Sequence, residues 1–176
     1  MYGKIRCFFP LMVFSLLSGC TISMDGPENP VKSVDLKKFM GQWYVIAFTP
    51  TFVDEGAEDG VKTYRLREDG NIDIDYTFSI NEELESHRQT GIVQPDQSNA
   101  KWRLKYNWLL SFDYYLIVEL DPEYHYTVIG VPSRSFVWIM SRKKKMDEVL
   151  LKEIFTRLKE KGFELEKIER MKFRSV

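Results

Sequence analysis

The side chains able to do chemistry are few, and most are spaced so that they cannot act together. The 176 residues include two histidines, His87 and His125, and two cysteines, Cys7 and Cys20. Neither histidine has a cysteine or a second histidine nearby, which is unlike the spacing of a zinc site. No Gly-x-Ser-x-Gly turn is present to raise a serine nucleophile. Asp73 and Asp75 alternate with apolar residues, so they share the wet face of a strand and read as solubilising groups, not as an acid–base pair. His125 reads as a surface or core-edge residue. No catalytic residue, metal ligand or cofactor is expected. Two groups call for explanation: Cys20, and Lys62, a charged side chain on an otherwise apolar face.

Cys20 is explained by what precedes it. Lys4 and Arg6 are followed by an apolar run from Cys7 to Leu17 and then by small residues. A basic start, a short apolar core and a small-residue exit describe a secretory signal over residues 1–19. The run falls short of the ~20 apolar residues that span a membrane. Cys7 leaves with the signal, so the exported chain keeps a single cysteine and cannot form an internal disulfide. Leu17-Ser18-Gly19-Cys20 resembles the bacterial lipobox. That resemblance implies acylation of Cys20 and cleavage just before it. Each buried acyl CH₂ contributes about 0.8 kcal/mol, so two or three chains anchor stably. Thr21 follows the cysteine where an Asp would direct retention at the inner membrane. By resemblance to Gram-negative lipoproteins this implies lipid anchoring in the outer membrane.

The remaining 157 residues are enough for one domain with a real core. Without the two basic residues of the signal, 23 basic side chains stand against 26 acidic ones, a net charge of −3. That excludes the strongly basic footprint of a nucleic-acid binder. Residues 20–33 carry Gly26, Pro27 and Pro30 and read as a tether, with a reach of roughly 20 Å. The rest, 34–176, is the folded domain.

Short strands at close spacing dominate that domain. The pattern predicts strands at 43–49, 61–67, 71–79, 89–94, 101–106, 114–120, 126–131 and 136–142. Glu68-Asp69-Gly70-Asn71 is a hairpin turn. Ile72, Ile74, Tyr76 and Phe78 alternate with polar residues, as do Trp102, Leu104 and Tyr106, so each strand has one apolar face. Asp147 predicts the N-cap of a helix whose apolar stripe includes Leu150, Leu151, Ile154, Phe155 and Leu158, with Gly162 just beyond its end. The segment 163–171 could add a last short strand. Eight antiparallel strands and one late helix suggest a sandwich or a closed barrel, and closure removes exposed edges.

Three segments carry a resemblance to the lipocalin family. The first is Gly41-Gln42-Trp43-Tyr44 with residues 34–40 before it. The second is Leu120-Asp121-Pro122-Glu123-Tyr124, altered from the family's Thr-Asp-Tyr in that Leu replaces Thr and the Tyr lies further on. The third is Phe136-Val137-Trp138-Ile139-Met140-Ser141-Arg142. The likeness covers about 34–171 and is nearest to bacterial lipocalins, which also carry lipoprotein signals. It implies an all-β fold: an eight-stranded antiparallel up-and-down lipocalin β-barrel with one C-terminal α-helix packed outside. It also implies that Trp43 packs at the closed end under Arg142, where a guanidinium over an indole contributes roughly 0.5–2 kcal/mol.

Taking Trp43 and Arg142 as inward, alternation assigns the inner face. Lys62, Tyr64 and Leu66 point in from the second strand, and Ile72, Ile74, Tyr76 and Phe78 from the third. Trp102, Leu104 and Tyr106 do so from the fifth, Tyr115 and Ile117 from the sixth, and Phe136, Trp138 and Met140 from the eighth. On the sixth strand both faces are apolar. The expected ligand-binding set is Lys62, Tyr64, Ile74, Tyr76, Phe78, Leu104, Tyr106, Tyr115, Ile117, Phe136 and Trp138. It suits a fatty acid or lysophospholipid, stored or carried in the cell envelope. Lys62 is expected near the open mouth with its charge unburied, either pairing with an anionic head or covering apolar surface with its stem while its head reaches water. The bulky loop 107–112, with Trp108, Leu109, Leu110 and Phe112, could touch the membrane, fold over the mouth or form a homodimer. A lipid-modifying enzyme and a structural lipoprotein with a filled barrel stay open as alternatives.

Overall fold

A computed structural model describes residues 30–96, 98–106 and 114–174. The signal, Cys20, most of the tether and the apolar loop 107–112 lie outside the described residues. The elements are α1 (Leu36–Phe39), β1 (Gly41–Phe48), β2 (Glu58–Leu66), β3 (Ile72–Ile80), β4 (Glu83–Val93), β5 (Lys101–Tyr106), β6 (Tyr114–Leu120), β7 (Tyr126–Gly130), β8 (Val137–Ser141), α2 (Glu148–Glu160) and β9 (Glu169–Arg170). Each strand pairs antiparallel with the next from β2 to β8, β8 pairs with β1, and β1 pairs back with β2. The eight-stranded sheet therefore closes into a barrel.

Turn chemistry sets the hairpins. Asp69 accepts a hydrogen bond from the Asn71 amide, and Gly70 takes a positive φ of 79° between β2 and β3. The β3–β4 turn uses Asn81 and Glu82, both with positive φ. β4 is longer than the expected 89–94, because its first half is polar and exposed and lacks apolar alternation. β8 is shorter than expected, with Phe136 and Arg142 flanking it.

The barrel wall separates two apolar clusters. The inner one holds Trp43, Val45, Tyr64, Ile72, Ile74, Phe78, Trp102, Tyr115, Ile117 and Met140. The outer one lies between the wall and α2, joining Ile46, Ala47, Leu116, Val118, Val128 and Ile139 to Leu151, Ile154 and Leu158. This explains the two apolar faces of β6: Tyr115 and Ile117 face the lumen, Leu116 and Val118 the helix. β1 serves both clusters through a bulge between Val45 and Ala47, which turns Ile46 and Ala47 outward and returns Phe48 to the inside. Gly130 lies close beneath α2's trailing segment, where a Cβ would come within 2.8 Å of Phe163. Asp147 caps α2 by accepting from the amides of Val149 and Leu150. Arg157 ties the helix to Glu119 of β6.

The closed end is built around Arg142. Its Cζ lies 3.7 Å from the centre of the Trp43 ring. Its Nη1 donates to the Gln42 carbonyl (2.8 Å), and its Nη2 donates to those of Lys38 (2.8 Å) and Phe39 (3.1 Å). Those carbonyls belong to α1 and the start of β1, and α1 is an element that alternation in the sequence does not reveal. Asp35 caps α1 through the Lys37 and Lys38 amides, and the Trp43 indole donates to Phe39 O. Gly41, at φ 96°, turns the chain from α1 into β1 under the guanidinium. Leu66, expected inside, is 37% exposed at the closed end of β2, because alternation assigns a face but does not say where the barrel stops enclosing it.

Two stability outcomes follow. Asp147→Ala removes the α2 cap and should cost about 1 kcal/mol in urea unfolding. Arg142→Lys keeps the charge but loses the planar fork, and should cost roughly 2 kcal/mol or more in the same assay. A loss under about 0.5 kcal/mol would show that the plug does not depend on the fork.

Candidate ligand site inside the barrel

The inner face changes character with depth. Nearest the Arg142 plug it is packed shut by rings. Phe39 lies 5.1 Å from Trp43, 5.3 Å from Tyr64 and 5.4 Å from Trp102, centre to centre. Trp102 stacks on Tyr115 at 5.7 Å. The hydroxyls of Tyr64 and Tyr115 hydrogen-bond to each other, which satisfies both inside an apolar layer. Trp102 donates its indole N–H to Asn99 O. Tyr64, Tyr115, Ile74 and Ile117 are all essentially inaccessible, so four of the expected lining residues form the floor.

Above that floor sits Lys62. It pairs with Trp43 across β1 and with Tyr76 across β3. Its side chain is not at the mouth as expected: only 3% of its surface is exposed. Alternation gave the correct face but not the depth. The Nζ lies 3.9 Å from the Trp138 ring centre, 4.9 Å from that of Tyr76 and 5.5 Å from that of Tyr115. Among the described residues it makes no hydrogen bond and no ion pair. Burial pushes its pKa down to about 7, and the Asp54 carboxylate opposes that shift. Three rings partly replace the water that an ammonium would lose.

Two further polar atoms share this level. Among the described residues the Trp138 indole N–H is buried without a hydrogen-bond partner, and the buried Tyr76 hydroxyl lies beside the Asp54 carboxylate without a well-formed hydrogen bond. Burial first, and the Asp54 charge second, push the Tyr76 phenol well above its ordinary range, so it stays protonated. Toward the open end stand Phe78, Leu104 and the half-buried Tyr106. Phe136 is half-buried and stacks on Trp138 outside the main cluster. His87 of β4 stacks flat on Phe78.

Two contributors escape the strand pattern because loops and tails have no period. Asp54, in the β1–β2 loop, is buried and accepts from the amide and hydroxyl of Thr51. Met171, in the C-terminal segment, joins the inner cluster. That segment fills the seam where β1 and β2 diverge: Asp59 N donates to Lys172 O, and Arg174 pairs with Asp59 and bonds Ser79. Asp73 and Asp75 lie on the outer face of β3 as expected, paired with Arg67 and with Arg65 and Arg88. His125 is exposed beside Asp121. Two surface hollows lie at the closed end and beside α2, the second reaching Met171.

Comparison with known proteins agrees with this geometry. The family model described as a lipocalin-like domain matches residues 34–172. Temperature-induced lipocalin-1 of Arabidopsis thaliana is 30% identical over 80% of each chain. The outer membrane lipoprotein Blc of Vibrio cholerae is 26% identical over 93% of this chain and 96% of its own. Blc of Escherichia coli K12 is 26% identical over 90% and 93%. Among solved structures, insecticyanin of Manduca sexta superposes with a TM-score of 0.64 over 83% of this chain and 84% of its own, at 17% identity. Lobster apocrustacyanin A1 does so at 0.64 over 79% of both, at 15%. These two show likeness of fold alone. A family match over 34–172, on a barrel closed in this way, makes the chain a member of the lipocalin family.

Proposed function

We propose that this protein is a cell-envelope lipocalin that carries a long-chain lipid head-inward, with the polar head at Lys62 and the chain running toward the open end. Family membership supports a small apolar ligand. The observation that carries the orientation is the order of layers along the barrel. Below Lys62 the floor is packed with rings and offers no place for a chain. At its level stand, among the described residues, an amine held against ring faces, a phenol beside the Asp54 carboxylate and an indole N–H without a partner. A buried polar group without a partner costs about 1–3 kcal/mol, and a fatty-acid carboxylate or a lysophospholipid phosphate would satisfy all three. Acylation at Cys20 and a tether over 20–33 would hold the barrel at the outer membrane. The Blc relatives, named as outer membrane lipoproteins, support that placement.

A lysine in this position is a cost to the empty protein. Its ordinary pKa is 10.5 and burial brings it to about 7. Between those values the unfolded chain binds more protons, so stability rises with pH across that window, and the full penalty is carried below about 7. Lys62→Met should therefore stabilise the unliganded protein by up to about 4 kcal/mol near pH 6. The gain should vanish toward pH 10.5, as read from urea midpoints. A gain independent of pH would mean that Lys62 is not desolvated.

Ligand binding tests the function directly. Hexadecanoate should quench tryptophan fluorescence, and its affinity should fall as pH rises above about 7, because binding then requires a proton on Lys62. Hexadecanol should show no such dependence. Lys62→Met should weaken hexadecanoate by about tenfold, near 1.4 kcal/mol, and leave hexadecanol nearly unchanged. Native extraction and mass spectrometry of the purified protein should recover fatty acid or lysophospholipid. An empty barrel that also ignores both probes would identify a structural lipoprotein with a filled core.

A further inference from the structure

We infer that the Lys62 amine is a reversible covalent site for long-chain aldehydes, which it holds as an imine within its cage of rings. The inference rests on the reading that a single-chain ligand enters head-first. It goes beyond that reading in assigning bond formation and a different ligand class.

Four observations support it. First, an amine attacks a carbonyl only as the free base. Lys62 is buried among Trp138, Tyr76 and Tyr115 and, among the described residues, has no ion-pair partner. A substantial fraction is therefore unprotonated near neutrality. Exposed lysines such as Lys143 and Lys145 have no such environment. Second, only 3% of the Lys62 surface is exposed, which limits the access of bulk water and so slows hydrolysis of the adduct. Third, a protonated imine is a cation, and the three ring faces that receive an ammonium would receive it equally. Fourth, among the described residues the buried Trp138 indole N–H has no hydrogen-bond partner, and the buried Tyr76 hydroxyl has only the Asp54 carboxylate near it. Both are donors, and the phenol is held protonated, so they can bond the aldehyde oxygen as charge develops on it.

The bookkeeping of the step is closed. The Nζ lone pair forms a bond to the aldehyde carbon, giving a carbinolamine. The carbonyl oxygen then leaves as water with the two hydrogens of the amine, and a C=N bond remains. Nothing is oxidised or reduced. The titratable groups facing Lys62 from neighbouring elements are Asp54 of the β1–β2 loop, Tyr76 of β3, Tyr106 of β5 and Tyr115 of β6, with His87 of β4 behind Phe78. Burial holds the three phenols neutral near pH 7, so the pH dependence of capture should follow Lys62.

The test uses the full chain in phosphatidylcholine nanodiscs, whose lipids carry no primary amine. Hexadecanal is added with sodium cyanoborohydride, which reduces an imine to a stable secondary amine. Peptide mapping should find the mass of the aldehyde less one oxygen atom on Lys62. Labelling there should be about tenfold faster than at any surface lysine, slow below pH 7 and be competed by hexadecanol. Lys62→Arg should abolish that label while retaining the fold by circular dichroism. Labelling spread over surface lysines without preference for Lys62 overturns the inference. A parallel hexadecanoate titration separates the two readings. Quenching without Lys62 labelling overturns imine capture alone, whereas absence of both overturns the head-inward lipid site as well.

Discussion

The guanidinium of Arg142 lies flat over the Trp43 indole and donates to three backbone carbonyls, those of Lys38, Phe39 and Gln42. A closed sheet satisfies its own backbone groups but leaves two open ends, and nothing in strand pairing says which one is sealed. Here a single side chain does so. It stands just beyond β8, reaches the end of α1 and the start of β1, and satisfies carbonyls that a one-turn helix cannot bond internally. Its charge is partly desolvated, yet it faces a ring face and carbonyl dipoles, the partners that a planar cation meets best. The polarity of the barrel, with one end closed as a floor, follows from this contact.

That polarity gives each inner residue a depth, and depth decides what its chemistry can be. Next to the plug, tyrosine hydroxyls pair with each other and tryptophans donate to backbone, so a dense aromatic layer carries no unmet polar demand. One layer up, among the described residues, the Lys62 ammonium meets only ring faces, the Trp138 indole N–H has no acceptor, and the Tyr76 hydroxyl has only the Asp54 carboxylate near it. A core evolved for stability alone would place apolar side chains there. Buried polar groups that cost stability are a common signature of a binding site.

The wall of the barrel carries the same economy. β6 is apolar on both faces because one lines the lumen and the other bears α2. The bulge in β1 lets a single strand contribute Trp43 and Val45 to the inside and Ile46 and Ala47 to the helix side. The C-terminal segment seals the seam where β1 and β2 part, with Met171 facing the lumen and Arg174 bound to Asp59 and Ser79. The lumen is thus bounded by local alternation, by one bulge and by a tail that returns from the far end of the chain.

The sequence by itself determined the strands, the helix with its Asp147 cap and Gly162 stop, and the face on which each inner residue lies. These are local properties: alternation of period two, a helical stripe and turn chemistry are written within a few residues of one another. Trp43 and Arg142, 99 residues apart (142 − 43), were legible only through family resemblance. Tertiary structure alone decided how deep each residue sits. Depth depends on strand register and tilt, on the placement of α1 and on a loop and a tail without periodicity, and none of these is encoded locally. Hence Tyr64 and Tyr115, expected as lining, form the floor, Leu66 reaches solvent, and Asp54 and Met171 enter the interior unannounced. Lys62 shows the difference most clearly. Its face could be counted from the chain, but its lowered pKa and its cage of rings exist only once β3, β6 and β8 have closed around it.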